Sequence, residues 1–332
     1  MQPQIGRRIL LGAGLASLAA PALPQGGSLG GGFPQRPLRL IIGWPPGGGV
    51  DAFGRILAPA LAEQLGQPVV IENIGGASGR IGSQAAARAA ADGHTLLLVN
   101  DTYAATEAVP APGAQPFGAA LVPVAQGIAA PNALITHPRS GLGDIATFAA
   151  AARARPGALN IGIPGWGTSQ HLSSELLLRA AGGLRAEHVS YRGGGPLLVD
   201  LLGGKLDAGV VTLAAAAEHL RDGRLAGLVV TTRTRNAAFP AVPAATEGLA
   251  PGFHLESWQG LFAPAGSPAA ALLRVQEANV AALAGPAVQA RLAALGFDVA
   301  SSDAAGFGAL VADTISRFAR VAQDAGIRAE GV

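Results

Sequence analysis

The sequence contains no cysteine and only a small proportion of charged residues. Its 332 residues include no cysteine, which excludes disulfide bonds, thiol chemistry and thiolate metal sites. Basic side chains number 23 and acidic ones 21, so the formal net charge is +2. Without Arg7 and Arg8, which lie in a segment that we expect to be removed, both counts are 21 (23 minus 2, and 21). This balance gives no sign of nucleic acid or an anionic membrane as a partner.

Residues 1–22 have the pattern of a signal peptide. They carry no acidic residue, and Arg7 and Arg8 precede an apolar run of about twelve residues, against the roughly 20 that a membrane-spanning helix needs. We expect cleavage after Ala22 and export of the mature protein. The paired arginines fit either the twin-arginine route or an ordinary signal peptide. Residues 23–36, rich in glycine, form a predicted flexible lead-in.

Strand-like apolar runs alternate with helical patterns from residue 38 onward. The predicted strands are residues 38–43, 69–72, 95–99, 133–137, 160–163, 187–191, 208–212, 227–232 and 258–263. The predicted helices are residues 51–65, 80–90, 143–154, 170–181, 196–202, 214–222, 268–284, 285–295 and 303–325. Repeated βα units indicate an α/β fold in two units, each a mainly parallel sheet flanked by helices. We expect the last helices to fold back on the first unit.

Four glycine-rich loops each connect a strand to a helix. They are residues 45–51 (PPGGGVD), 73–79 (NIGGASG), 164–169 (PGWGTS) and 192–195 (RGGG). Backbone N–H groups at such loops, together with the positive end of the helix dipole, attract anions, although a single loop of this kind also fits a plain tight connection. We expect Gly48 to need an unusual φ or a close approach, and Asp51 to cap its helix.

Cofactor and metal chemistry have no support in the sequence. Gly162, Gly165 and Gly167 do not have the spacing of a dinucleotide fingerprint, and no Gly-Lys-Ser/Thr occurs. No metal-ligand spacing is found among His94, His137, His188, His219 and His254. We therefore predict no cofactor and no metal.

Seven segments together resemble the substrate-binding proteins of tripartite tricarboxylate transporters, the Bug family. They are residues 37–51 (PLRLIIGWPPGGGVD), 66–73 (GQPVVIEN), 91–97 (ADGHTLL), 167–172 (GTSQHL), 191–196 (YRGGGP), 200–207 (DLLGGKLD) and 257–268 (SWQGLFAPAGSP). The resemblance runs in order from about residue 36 to 327. It implies a type II, Venus flytrap periplasmic binding protein, with lobe 1 at residues 37–132 and 256–332 and lobe 2 at residues 133–255. It also implies a small carboxylate ligand and a membrane permease as partners, and we expect a monomer.

The resemblance also assigns candidate ligand-binding residues. Backbone from both lobes would hold the carboxylate, at Pro46, Gly47, Gly48, Gly167, Thr168 and Ser169, with Trp44 at the pocket wall. The other candidates are Asp101, Gly165, Trp166, His171 and Tyr191. His171 either bonds a carboxylate or serves a structural role, and the Tyr191 hydroxyl either lies in the cleft or bonds the backbone. Trp166 lies either in the cleft or on the outer surface of its loop.

The type of ligand follows from departures from the family pattern. Trp44, Trp166, Ile163 and Val211 would make the cleft apolar and aromatic. We therefore expect an aromatic or short apolar monocarboxylate, or a compact dicarboxylate, ahead of a tricarboxylate, whose extra charges would be desolvated at a cost. An amino acid is the second candidate, because Asp101 would suit an amine if it faced the cleft.

Three functions remain open at this point. A transport binding protein comes first, and a binding protein that reports to a sensor would use the same fold and pocket. An enzyme is the third, although no nucleophile, base and orienting group can be assembled from the sequence. For either binding protein we expect closure of the lobes about hinges near residues 133–137 and 253–258.

Overall fold

The computed structural model describes residues 32–326, apart from residues 111, 112, 114 and 115. The predicted signal peptide lies outside the described residues, as does the predicted lead-in up to residue 31. None of the described helices is both long enough and apolar enough to cross a lipid bilayer.

Strands and helices alternate along most of the described chain. The strands are β1 (Leu38–Ile42), β2 (Val69–Asn73), β3 (Thr95–Asn100), β4 (Leu121–Thr136), β5 (Asn160–Ile163), β6 (Glu187–Ser190), β7 (Ala208–Thr212), β8 (Ala226–Val230), β9 (Glu256–Pro264) and β10 (Asp298–Ser302). The α-helices are α1 (Gly49–Leu65), α2 (Arg80–Ala87), α3 (Thr102–Ala108), α4 (Ile145–Ala154), α5 (Ser169–Ala180), α6 (Gly194–Leu202), α7 (Leu213–Arg221), α8 (Ala269–Ala284), α9 (Pro286–Ala294) and α10 (Ala304–Ala325).

The long strand β4 belongs to two sheets. Sheet A has the order β2-β1-β3-β9-β4-β10, in which β1, β2 and β3 are parallel and β9 and β10 run the opposite way. Sheet B has the order β6-β5-β7-β4-β8, in which only β4 opposes the others. We call sheet A with α1–α3 and α8–α10 the first lobe, and sheet B with α4–α7 the second lobe. The predicted α/β class is confirmed.

Each sheet is buried on both faces, which explains its continuous apolar strands. In the first lobe, Leu40 packs with Phe53 of α1 on one face, while Ile41 packs with Phe307 of α10 on the other. Sheet B likewise separates two cores, since Leu134 and the following residue of β4, Ile135, point to opposite faces and belong to different clusters. The C-terminal helix α10 thus returns to the first lobe, as the order of the elements predicts.

The chain crosses between the sheets earlier than the sequence predicts. Pro131 still pairs with Glu256 of β9, and Asn132 already pairs with Thr212 of β7, so residues 133–137 lie in or just beyond sheet B. The first half of β4 is not predicted because Pro123 and Pro131 are typical strand breakers. Irregular register along β4 accommodates that half.

Two further elements escape the sequence prediction. The helix α3 has only 7 residues, too few to establish a helical period. The strand β10 (DVASS) is polar and partly exposed because it pairs at the edge of sheet A.

Candidate functional site

The four glycine-rich loops meet around one cavity of about 730 Å³ between the lobes. They follow β1 and β2 of the first lobe and β5 and β6 of the second, at the carboxyl ends of these parallel strands. The lining consists of residues 44–46, 73, 75–78, 164–167 and 190–192, with Arg80, Ile81, Thr106 and Val109. Ligands of open α/β sheets bind beyond such strand ends, so this cavity is the candidate ligand site.

The lobes touch each other across the mouth of this cavity. The Ser78 hydroxyl of the first lobe donates a 2.9 Å hydrogen bond to the Trp166 carbonyl of the second. Gly193 and Gly195 lie so close to Pro45 and Pro46 that a Cβ on either glycine would come within 2.7 Å of the facing proline. The structure is therefore a closed arrangement of the two lobes.

Six of the predicted site residues line the cavity: Trp44, Pro46, Gly165, Trp166, Gly167 and Tyr191. Trp166 is 38% exposed and meets His171 edge-on at 4.8 Å, so it forms part of the wall. Trp44 is buried, and its indole N–H donates to Asn100 Oδ1 at 3.2 Å. The Tyr191 hydroxyl donates to Asp200 Oδ2 at 3.0 Å, so its proton is used in a hydrogen bond within the second lobe.

Gly47 and Gly48 lie at the start of α1, outside the main cavity. The Gly47 N–H donates to Asp51 Oδ2 at 3.1 Å, so this amide already has an acceptor within the protein. Gly48 borders a second cavity of about 30 Å³ together with Val211 and Thr212. The expectation of an unusual φ at Gly48 is wrong: its φ is −88°, nothing lies within 4 Å of a Cβ there, and Gly47 takes the positive φ of 87°.

Thr168, Ser169 and His171 begin α5 behind the cavity lining. Thr168 is the N-cap, whose hydroxyl accepts from the His171 N–H at 3.2 Å and donates to the Gly165 carbonyl at 2.8 Å. The Ser169 N–H donates to Thr102 Oγ1 of the first lobe at 3.2 Å. His171 Nδ1 accepts from the Gly167 N–H at 3.2 Å. These contacts occupy the amides of Gly167 and Ser169 that the resemblance assigned to a carboxylate.

His171 is neutral near pH 7. Burial, with a smaller effect of nearby His188, lowers the pKa of His171 to about 4. A neutral ring can accept the Gly167 N–H through Nδ1, so His171 has a structural role in fixing the loop after β5.

Asp101 is buried rather than exposed to the cavity. It is 1% exposed and accepts a 2.6 Å hydrogen bond from the Ser257 hydroxyl. Burial raises the pKa of Asp101 to about 6, although the hydroxyls of Ser169 and Ser257 oppose the shift. Because Asp101 does not line the cavity, the amine-binding role on which an amino acid ligand depended has no basis in this geometry. Ile163 is also fully buried outside the lining.

One cluster within the described residues has metal-binding side chains. Ligand atoms of His171, Glu175 and His188 lie within 4.8 Å of one another. The sequence missed this cluster because His188 comes from a different element, β6. Both ring nitrogens of His188 already have partners, Glu175 at 3.3 Å and Ser174 at 2.8 Å, and His171 Nδ1 is engaged by Gly167. These partners explain the cluster without a metal.

Sequence reasoning missed the two cations of the cavity. Arg80 of the first lobe and Arg192 of the second both line it, and the lining contains no aspartate or glutamate. Arg80 is the first residue of α2, where a cation opposes the helix dipole. This unfavourable position is the feature of the sequence that could have indicated a binding role for Arg80. A cavity with two arginines and no carboxylate favours an anionic ligand.

The closed pair of α/β lobes around a solute-sized cavity defines the class of periplasmic binding proteins, which similar solved structures also represent. The sequence model described as the tripartite tricarboxylate transporter family receptor matches residues 53–327. The chain belongs to this family, as the resemblance predicts.

The relatives agree with this assignment. The protein BugT of Bordetella pertussis is 35% identical over 302 residues, covering 89% of this chain and 91% of BugT. The structure of the periplasmic binding protein BugD superimposes with a TM-score of 0.83 at 27% identity, covering 89% of this chain and 99% of BugD.

Two of the similar structures contain a bound ligand. Rpa4515 of R. palustris with adipate has a TM-score of 0.85 at 29% identity, covering 90% of this chain and 99% of that one. MatC from Rhodopseudomonas palustris with malate has a TM-score of 0.79 at 31% identity, covering 87% of this chain and 99% of that one. These homologues are binding proteins, and members of the family are periplasmic.

Proposed function

We propose that this protein captures a small carboxylate between its lobes in the periplasm and delivers it to a tripartite tricarboxylate-type permease. The observation that carries the proposal is the cavity between the lobes, which has two arginines and no acidic residue in its lining. Adipate and malate bound to similar proteins support a carboxylate as the ligand class. Export through the signal peptide at residues 1–22 is part of the proposal, as is a division of the lobes near residues 131–133 and at residues 255/256.

The walls of the cavity suggest what lies between the acid groups of the ligand. Trp166, Trp44, Pro45, Pro164 and Val109 give the cavity large apolar and aromatic surfaces. A ligand with an apolar or flat body therefore fits better than citrate, whose three carboxylates and hydroxyl need more polar partners than the lining offers.

A thermal-shift panel tests the ligand class. We expect benzoate, adipate and malate to raise the unfolding temperature of the mature protein more than citrate, and neutral amides of the same acids to have no effect. Binding to the native state alone at 100 times Kd adds about 2.7 kcal/mol of stability, enough to detect. Stabilisation by citrate alone would contradict the proposed ligand type, and no response to any carboxylate would contradict the function.

Trp166 offers a direct optical readout of binding. Of the three tryptophans, Trp44 and Trp258 are buried, whereas Trp166 is 38% exposed in the cavity wall. We expect a stabilising carboxylate to change the tryptophan fluorescence of the natural protein, and Trp166→Phe to remove most of that change. The matched control is Trp258→Phe, since Trp258 lies in the core of the first lobe. Because Trp44 also lines the cavity, a fluorescence response that survives Trp166→Phe would place the ligand nearer to Trp44 than to Trp166.

A further inference from the structure

Arg80 lines the cavity next to the helix α3. Its guanidinium stacks over the Phe117 ring at 4.6 Å, and its Nη1 lies 3.5 Å from the Thr106 carbonyl. The side chain is 15% exposed and borders the cavity together with Thr106 and Val109. The protein therefore holds the guanidinium in place before any ligand arrives, and a planar guanidinium suits the recognition of a carboxylate.

Glu107 is an acidic neighbour of Arg80 in the part of the chain that the structure describes. Glu107 Oε1 lies 3.8 Å from Arg80 Nη1, longer than a charge-assisted hydrogen bond of about 2.7–2.9 Å. The Glu107 carboxylate instead accepts the backbone N–H groups of Phe117 and Gly118 at 2.9 to 3.2 Å. Glu107 does not line the cavity, so a ligand carboxylate can approach Arg80 from the cavity side without meeting it.

The second cation, Arg192, comes from the opposite lobe. It is exposed in the loop between β6 and α6 and lines the same cavity. No hydrogen bond or ion pair of its guanidinium occurs within the part of the chain that the structure describes. A ligand with an acid group at each end would therefore meet one arginine from each lobe, whereas a monocarboxylate can satisfy only one of them.

We propose that Arg80 is a specificity-determining residue, which binds the second acid group of an elongated dicarboxylate whose first acid group lies towards Arg192. This assignment rests on the proposed function and names its substrate class. The amides of Gly47, Gly167 and Ser169 have acceptors within the protein, and the two arginines are the cationic side chains in the lining of the cavity. A dicarboxylate that engages both lobes would also favour the closed arrangement.

Matched pairs of acids test the assignment by calorimetry. The probes are hexanoate against adipate, and benzoate against terephthalate, so each pair differs in one acid group on the same body. We expect the natural protein to bind each diacid at least tenfold more tightly than its monoacid. Arg80→Met should lower the affinity for the diacids about tenfold, equivalent to about 1.4 kcal/mol, and leave the monoacids within about twofold.

Two control variants separate ligand binding from other effects of Arg80. Arg88→Met removes the same charge from an exposed position at the other end of α2, and we expect no change in the preference. Glu107→Gln removes the acidic neighbour and should leave the diacid affinity equal or higher. If Arg80 only held Glu107 in place, Glu107→Gln and Arg80→Met would weaken binding alike.

The outcomes distinguish this assignment from the proposed function. Equal affinity for the monoacid and diacid of both pairs, or an equal loss for all four acids in Arg80→Met, would overturn the role of Arg80 and leave carboxylate binding intact. Absence of binding for all four acids would overturn this assignment, and it would contradict the proposed function only if no acid of the thermal-shift panel stabilised the protein either.

Discussion

Gly195→Ala is expected to weaken carboxylate binding by roughly 10- to 100-fold, because it forces the lobes apart. A Cβ on Gly195 would lie 2.7 Å from the Pro46 carbonyl oxygen of the opposite lobe, and backbone cannot yield there as a flexible side chain could. Overpacking of this kind costs about 1–3 kcal/mol. Gly195 does not have a positive φ, so alanine is tolerated within its own helix α6. The clash therefore exists only when the lobes are closed.

The neighbouring glycine supplies the control. A Cβ on Gly194 would lie 3.8 Å from Gly48 Cα, an ordinary contact, so Gly194→Ala should bind like the natural protein. Calorimetry with the acid that stabilises the protein most measures both affinities, and the unfolding temperature without ligand checks that both variants fold. Small-angle scattering should give a larger radius of gyration for Gly195→Ala in saturating ligand. Unchanged affinity in Gly195→Ala would mean that binding does not require this closed arrangement.

The fold was predictable where the chain carries long, regular patterns. The strand β1 and the helix α1 have clear apolar patterns on either side of a glycine-rich loop. The sequence therefore predicts a strand, a loop and a helix in this order. The first half of β4 was not predictable, because Pro123 and Pro131 break the strand pattern and only pairing with β9 stabilises it. Local propensity cannot anticipate such tertiary support.

The site was predictable at the level of its loops but not of its donors. Glycine-rich turns at strand ends correctly indicate where the cavity lies. The expectation of free amides did not anticipate that Asp51 would accept the Gly47 N–H and that His171 would accept the Gly167 N–H. Asp51 does act at the start of α1, but it reaches back to the loop instead of capping a later residue. The proposed role of Arg80 depends on α3, which packs beside it and was not predicted from the sequence.

Asp101→Asn is expected to have a higher free energy of unfolding than the natural protein at neutral pH. This advantage should be up to about 3 kcal/mol larger at neutral pH than at acidic pH. Burial raises the pKa of Asp101 from 3.8 to about 6 in the folded state, and one pKa unit corresponds to about 1.4 kcal/mol. The folded state therefore holds the proton more tightly than the unfolded state does. The stability that protonated Asp101 contributes is complete below pH 3.8 and is lost as the pH rises through about 6. Asparagine is neutral throughout and can still accept from Ser257.

The measurement is the difference in unfolding free energy between Asp101→Asn and the natural protein in urea, from pH 4 to pH 8. The difference is needed because His171 acts in the opposite direction: burial lowers its pKa from 6.5 to about 4, so its contribution is lost as the pH falls across that window. The two effects partly cancel in the profile of the natural protein. Subtracting the unfolding free energy of the natural protein from that of Asp101→Asn at each pH leaves the pH dependence that is due to Asp101.

Asp51→Asn provides the control with the opposite sign. Burial alone would raise the pKa of Asp51, but hydrogen bonds from Arg55, the Gly47 amide and Asn73 together lower it. The carboxylate of Asp51 therefore stabilises the folded state above its unfolded pKa, and Asp51→Asn should lose stability at neutral pH but not in strong acid. A free-energy difference for Asp101→Asn that stays constant from pH 4 to pH 8 would show that the burial of Asp101 does not shift its titration.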